Sequence, residues 1–169
     1  DLRRERWLVP MFFASGFAAL VYQVVFAKAL GLTFGSMGTA SATVLTAFMA
    51  GIAVGSWLGG RLADGRHDPI KIYLVCEIGI AIWCVLTPVL FGIVRAQYIE
   101  FASGGDPAAP KLVFVQLLLG LAILMPPTVL MGMTLPVLTA YLEKSSIGFG
   151  SVVGRLYAAN TVGAAAGAL

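Results

Sequence analysis

Charge is the scarcest property of this chain. Of its 169 residues only 11% are Asp, Glu, Lys or Arg, while 59% are hydrophobic. An average soluble domain is about one-quarter charged, so too few polar side chains are present to coat a water-facing globule. The same deficit excludes a disordered chain, which needs low hydrophobicity and high charge. It argues against a soluble enzyme of this size and against nucleic acid as a partner, which calls for a concentrated basic surface. Histidine is nearly missing: His67 stands alone, so neither a metal cluster nor a paired-histidine haem site can be assembled. The two cysteines, Cys76 and Cys84, sit inside an apolar run, where a thiol behaves as a small hydrophobe. No cofactor or metal is expected in this chain. Strand-type alternation is lacking too, which argues against a β-barrel. So is a signal peptide with its cleavage site. The chain opens on Asp1 and stops at Leu169 inside an apolar stretch, and it reads as a piece of a longer protein.

What is present is long apolar runs. A hydrocarbon core about 30 Å thick is crossed by about 20 helical residues. Runs at 7–30, 37–62, 72–94 and 111–142 are of that order, and a fifth occupies 152–169. The expected fold is an all-α integral membrane protein: one transmembrane domain over residues 1–169, a bundle of about five helices of the transporter half-bundle kind. Its first partner is the lipid bilayer. Lys and Arg collect on the cytoplasmic side of a membrane protein. Eight of them (Arg3, Arg4, Arg6, Arg61, Arg66, Lys71, Lys144 and Arg155) fall on one side and three (Lys28, Arg95 and Lys111) on the other. The net charge of +3 is therefore read as topology, with the N-terminus in the cytoplasm.

The fourth run is too long for a straight span and carries Pro126, Pro127 and Pro136. Each proline removes one helical hydrogen bond and crowds the preceding turn. A kinked or broken helix is expected, with freed carbonyls satisfied by Thr128 or Thr134. The second run carries Gly51, Gly55 and Gly59 at four-residue spacing, continued backwards by Ala47 and Thr43. In lipid, where apolar side chains gain little by meeting, such a glycine zipper marks a helix–helix seam with close backbone approach. Ala159, Gly163 and Gly167 repeat the spacing in the fifth run.

Few polar residues lie within the runs. Glu77 sits six residues into the third. A carboxylate there is costly unless protonated or paired, and it reads either as a proton or cation relay or as a buried ion pair. Arg61 and Arg155 lie near the same membrane face, and Asn160 is a neutral donor one turn deeper. Tyr22, Gln23 and Lys28 form a polar patch on the first run. It is either a small polar pocket or a snorkelling lysine beside an interhelical hydrogen bond. Ser103-Gly104-Gly105-Asp106 lacks the strand and helix that a nucleotide loop requires, and it reads as a plain loop. Gly60-Arg61-Leu62-Ala63-Asp64-Gly65-Arg66 resembles the loop signature between the second and third helices of major facilitator transporters. There Asp64 can cap or pair at the helix end while Arg66 meets anionic lipid. His67-Asp68-Pro69 departs from that pattern.

Taken in order, several segments resemble a further family. They are Phe13–Phe26 (FASGFAALVYQVVF), Leu32–Ser36 (LTFGS), Ala47–Ser56 (AFMAGIAVGS), Gly59–Asp64 (GGRLAD), Glu77–Ile80 (EIGI), Met131–Pro136 (MGMTLP) and Leu156–Ala164 (LYAANTVGA). The set resembles the membrane portion of bacterial spermidine-synthase-like proteins, in which a transporter-like bundle is fused to a synthase domain. Phe26-Ala27-Lys28 departs from the Trp and Arg expected there, keeping an aromatic and a cation. The resemblance implies the bacterial inner membrane and a cytoplasmic domain that transfers an aminopropyl group from decarboxylated S-adenosylmethionine to a polyamine. No strand–glycine loop–helix unit for that chemistry occurs in this sequence, so no catalytic residue is assigned. The expected function is a membrane anchor and scaffold of such a protein. The alternatives are a transporter-like bundle for a small solute, a cation among the candidates, and an accessory subunit packed against other transmembrane helices of a complex. A polar cavity lined by Tyr22, Gln23 and Glu77 would favour transport.

Overall fold

The computed structural model describes residues 2–65, 68–102, 110–144 and 149–169. All of its regular structure is helical: α1 (Leu2–Phe34), α2 (Met37–Ala63), α3 (Pro69–Ala102), α4 (Pro110–Lys144) and α5 (Phe149–Gly167). Among the described residues, four segments are long and apolar enough to cross a membrane: Trp7–Phe34, Met37–Ala63, Pro69–Glu100 and Pro110–Glu143. This is a helical membrane protein. The fifth helix does not reach that standard. Nine of its 19 residues are Gly or Ala, with Arg155, Asn160 and Thr161 among the rest, and small side chains add little apolar surface. Arg66, His67 and the Ser103–Asp106 loop lie outside the described residues.

The turn between α1 and α2 is set locally. Gly35 takes φ +70, the left-handed conformation that ends helices, and its N–H donates to the Gly31 carbonyl at 2.9 Å. Ser36 then caps α2, its hydroxyl accepting from the Thr39 N–H at 3.4 Å. At the far end of the second loop the Asp68 carboxylate accepts from the Ile70 N–H at 3.1 Å and opens α3.

Two helix pairs organise the bundle, α2 on α4 and α1 on α5, with α3 laid against α4 and α1 touching α2. The glycines show why these pairs are so close. A Cβ on Gly55 would meet the Gly132 Cα at 2.9 Å, and one on Gly132 would meet the Ile52 Cα at 2.8 Å. Gly51 faces Thr128 and Gly59 faces the Met133 Cα, at 2.8 Å from an added Cβ. The facing residues climb together along both helices, so α2 and α4 run parallel. The seam begins earlier, where the Thr43 methyl fills the notch at Gly120. In the second pair Gly16 opposes Asn160, Gly163 opposes the Phe13 backbone and Gly167 the Phe17 backbone. These also climb together, so α1 and α5 are parallel.

The long fourth helix is continuous, not broken: residues 110–144 stay helical through all three prolines. Two of the carbonyls freed by proline are answered from other helices, and Thr128 and Thr134 are not the donors. Pro127 cannot donate to the Ile123 carbonyl four residues back, and the Trp83 indole N–H of α3 donates to it at 2.9 Å. Pro136 likewise leaves the Gly132 carbonyl, which accepts from the Ser56 hydroxyl of α2 at 3.2 Å. Thr128 and Thr134 bond carbonyls of their own turns, Leu124 at 2.8 Å and Met131 at 2.7 Å. The prolines thus turn backbone acceptors outward and tie α4 to both neighbours.

Apolar packing is divided between the ends. One core gathers Phe26, Leu30, Val44, Phe48, Tyr98 and Leu124. The other gathers Phe12, Tyr73, Val137, Leu142, Val152 and Leu156. A buried polar pair, the Gln116 amide donating to the Tyr98 hydroxyl at 2.8 Å, is embedded beside the first core, where Tyr98 also stands edge-on to Phe34 at 5.2 Å.

Candidate functional site: a polar cavity at mid-bundle

Between the two cores the helix pairs diverge. They enclose a cavity of about 370 Å³ bounded by α1, α2, α4 and α5, within the usual range of roughly 300–1,000 Å³ for small-molecule sites. It lies near the middle of each helix, at the level of Gln23, Ile52, Gly132 and Asn160. Its walls are mainly apolar, with Phe12, Phe48, Met49, Met131 and Leu135 prominent. Ser15, Gln23, Ser56, Thr134, Tyr157 and Asn160 supply its polar groups.

These polar side chains fall into two sets. The hydroxyls of Ser56 and Thr134 donate to the Gly132 and Met131 carbonyls, so their protons are committed to the framework. The carboxamides of Gln23 and Asn160 make no hydrogen bond to any described residue. Asn160 is set in place by the seam itself, since its backbone carbonyl and its side-chain Oδ1 both fill the space beside Gly16, with the rest of the carboxamide at the cavity wall. Among the described residues, no Asp, Glu, Lys, Arg or His side chain lines the cavity.

The polar patch read from the first run is split by helix geometry. Gln23 faces the cavity. Tyr22, one position earlier, turns towards α3, stacking on Phe26 at 6.0 Å with its hydroxyl beside Cys84. Lys28 is exposed.

Glu77 is also elsewhere. It lies on α3 one turn after Tyr73 and belongs to the α3–α4 side. Its Oε1 is buried with no hydrogen-bond partner, so the ion-pair lock is not made through that oxygen. Two of the candidate partners, Arg61 and Asn160, are placed elsewhere. The Arg61 guanidinium lies 4.3 Å over the ring of Trp57 on its own helix, a cation–π arrangement. Asn160 is at the α1–α5 seam. Arg155 is exposed on α5 and engaged with a contact of its own. Asp64 is exposed at the end of α2, where its backbone N–H, not its carboxylate, closes the helix on the Gly60 carbonyl at 3.1 Å.

The glycine stripe of α2 is covered within the chain by α4, and Gly163 and Gly167 are covered by α1. Sequence reasoning did not find Ser15, Ser56 or Tyr157 as site residues. They reach the cavity because two parallel pairs part at mid-height, and no single helix carries a signal for that. Comparison with family models, with curated proteins and with solved structures returns no match for this chain.

Proposed function

We propose that this chain is the membrane-embedded anchor and scaffold of a spermidine-synthase-like, aminopropyltransferase-like protein, seated in a bacterial inner membrane with its N-terminus cytoplasmic. The observation that carries the scaffold reading is the pair of backbone-to-backbone glycine seams, which fix the four helices at unvarying distances. Around them, residues such as Val75, Ile82, Val85 and Val89 of α3 are exposed and apolar, as a surface in lipid requires. The synthase part of the reading draws on the ordered segments from Phe13 to Ala164, and the orientation on the eight-to-three distribution of Lys and Arg.

Transport of a cation has less behind it, because the described residues of the cavity wall include no acidic side chain and a desolvated cation needs a counter-charge. An accessory-subunit role has lost its exposed glycine stripe, which α4 occupies.

The test uses the protein as its gene encodes it. Membranes containing it are supplied with putrescine and decarboxylated S-adenosylmethionine labelled in the aminopropyl group. The expected result is labelled spermidine formed in the alkaline-washed membrane pellet. Membranes that hold the protein and make no labelled polyamine would overturn the synthase-like reading. Protein released by the alkaline wash would overturn the anchor.

A further inference from the structure

The mid-bundle cavity is more than a scaffold needs. We infer that it binds a bilayer-borne neutral amphipath, a small molecule with an uncharged head offering hydrogen-bond donors and acceptors on an apolar body. This goes beyond the anchor reading and does not depend on it.

The head is specified by Gln23 and Asn160. Each carboxamide carries one acceptor oxygen and two donor hydrogens, and neither is bonded to a described residue. An amide left unbonded in an apolar setting is unfavourable, so a group that both donates and accepts is held there. Hydroxyl, carbonyl and amide heads meet that condition. The Ser56 and Thr134 protons are already engaged on backbone carbonyls, which leaves the two carboxamides, with the Ser15 and Tyr157 hydroxyls of the wall, to select the head. Its charge is specified by what surrounds it: with no ionised side chain among the described residues of the wall, a charged head would lose its hydration without compensation. The body is specified by Phe12, Phe48 and Leu135, which offer contact and no polarity.

The route of entry is specified by the rim. Met49 on α2 is 65% exposed and Tyr157 on α5 is 60% exposed, although both line the cavity. Leu45 and Ile52 on α2 share that position. An apolar rim at mid-height of a spanning bundle opens sideways into hydrocarbon. A ligand dissolved in the bilayer arrives there directly.

The experiment places the full chain in nanodiscs with one of three photoactivatable diazirine probes of equal alkyl length. One is a monoacylglycerol, one an alkyl trimethylammonium and one an alkyl sulfonate. The monoacylglycerol is expected to label peptides containing Met49 and Tyr157 about tenfold more than either charged probe, the ratio that two lost hydrogen bonds readily produce. Gln23→Leu and Asn160→Ala are each expected to lower that labelling several-fold with the melting temperature retained. If a variant fails to fold, the head-group discrimination of the unmodified protein decides alone. Equal labelling by all three heads would overturn the site, as would labelling by the monoacylglycerol only at outward positions such as Val75 and Val85. Excess monobutyrin, a water-soluble molecule with the same head, is expected not to compete; competition would overturn entry from the bilayer.

Discussion

The two parallel pairs bring backbones together by the same device and use the contact differently. In α2–α4, Gly55 and Gly132 oppose one another, and the Thr128 and Ser56 hydroxyls beside that contact are tied off. Thr128 is wholly buried and bonded to Leu124, and Ser56 bridges to the carbonyl that Pro136 exposes. In α1–α5, Gly16 opposes Asn160 and Gly163 opposes Phe13, yet Asn160 carries its carboxamide to a cavity edge without a partner. A glycine contact fixes where two helices cross; the side chains flanking it decide whether the crossing is a sealed joint or a wall of a site. Their positions in the bundle differ accordingly. The α2–α4 pair is central and flanked by α3, whereas α5 rests on α1 and scarcely touches the remaining helices.

The sharpest way to break this comparison is to load both joints equally. Gly55→Leu drives a side chain into backbone atoms of Val129 and Gly132, which have no rotamer to yield. It is expected to lower stability by about 3 kcal/mol or more, at or above the upper end of usual overpacking costs. Gly163→Leu meets the Phe13 backbone as closely, but α5 is free to lift from α1. Its loss should therefore be smaller, with the α2–α4 core still melting cooperatively. Thermal unfolding in detergent measures both. Equal losses would mean that the two joints serve one purpose, and a Gly55→Leu protein with undiminished stability would remove the central joint altogether.

A second perturbation tests the proline ties. Trp83→Phe keeps an aromatic ring but leaves the Ile123 carbonyl without its donor. Cross-helix hydrogen bonds in membranes are worth about 0.6 kcal/mol on average and up to about 1.7, and a loss of about 1–2 kcal/mol is expected here once the orphaned acceptor is included. Pro127→Ala restores a backbone N–H at 127, so Trp83→Phe should cost measurably less in that background. A double-mutant cycle in which the two effects simply add would show that the indole contributes by packing alone.

The parts legible in the sequence were those written along one helix. Four-residue glycine spacing announces a seam because it marks one face, and apolar length announces a span because the bilayer has a fixed thickness. The continuity of α4 was not legible. The donors that make its prolines tolerable, Trp83 and Ser56, are 40 and 76 residues from their acceptors, and nothing local links an indole on one helix to a carbonyl on another. The cavity was half legible. Gln23 drew attention as a polar residue in an apolar run, but its neighbour Tyr22 faces the other way because adjacent helical residues diverge by about 100°. Grouping by sequence proximity joined two residues that the helix separates. Glu77 and Arg61 repeat this over a longer distance: similar membrane depth does not bring them together, because the Arg61 guanidinium is held over Trp57 on its own helix.

Glu77 gives the smallest expected effect and for that reason a discriminating one. Were it paired with a buried cation, removing its charge would strand the partner and cost about 3–5 kcal/mol. In the structure Oε1 is buried and unpartnered among the described residues, Arg61 is laid over Trp57, and the carboxyl group is hydrogen-bonded to the Tyr73 hydroxyl and close to the Cys76 thiol. Arg61 supplies it no ion pair, and an amide can keep the hydrogen bond with the Tyr73 hydroxyl. Glu77→Gln preserves shape and polarity and should leave stability within about 0.5 kcal/mol of the parent. Glu77→Ala should fall lower, because it also empties volume beside Tyr73, by about 1 kcal/mol if the surroundings relax only in part. The measurement is thermal unfolding of the three proteins in the same detergent. A Glu77→Gln protein destabilised by several kcal/mol would reinstate an ion-pair lock on α3 and make that helix, not the α2–α4 joint, the most sensitive element of the bundle.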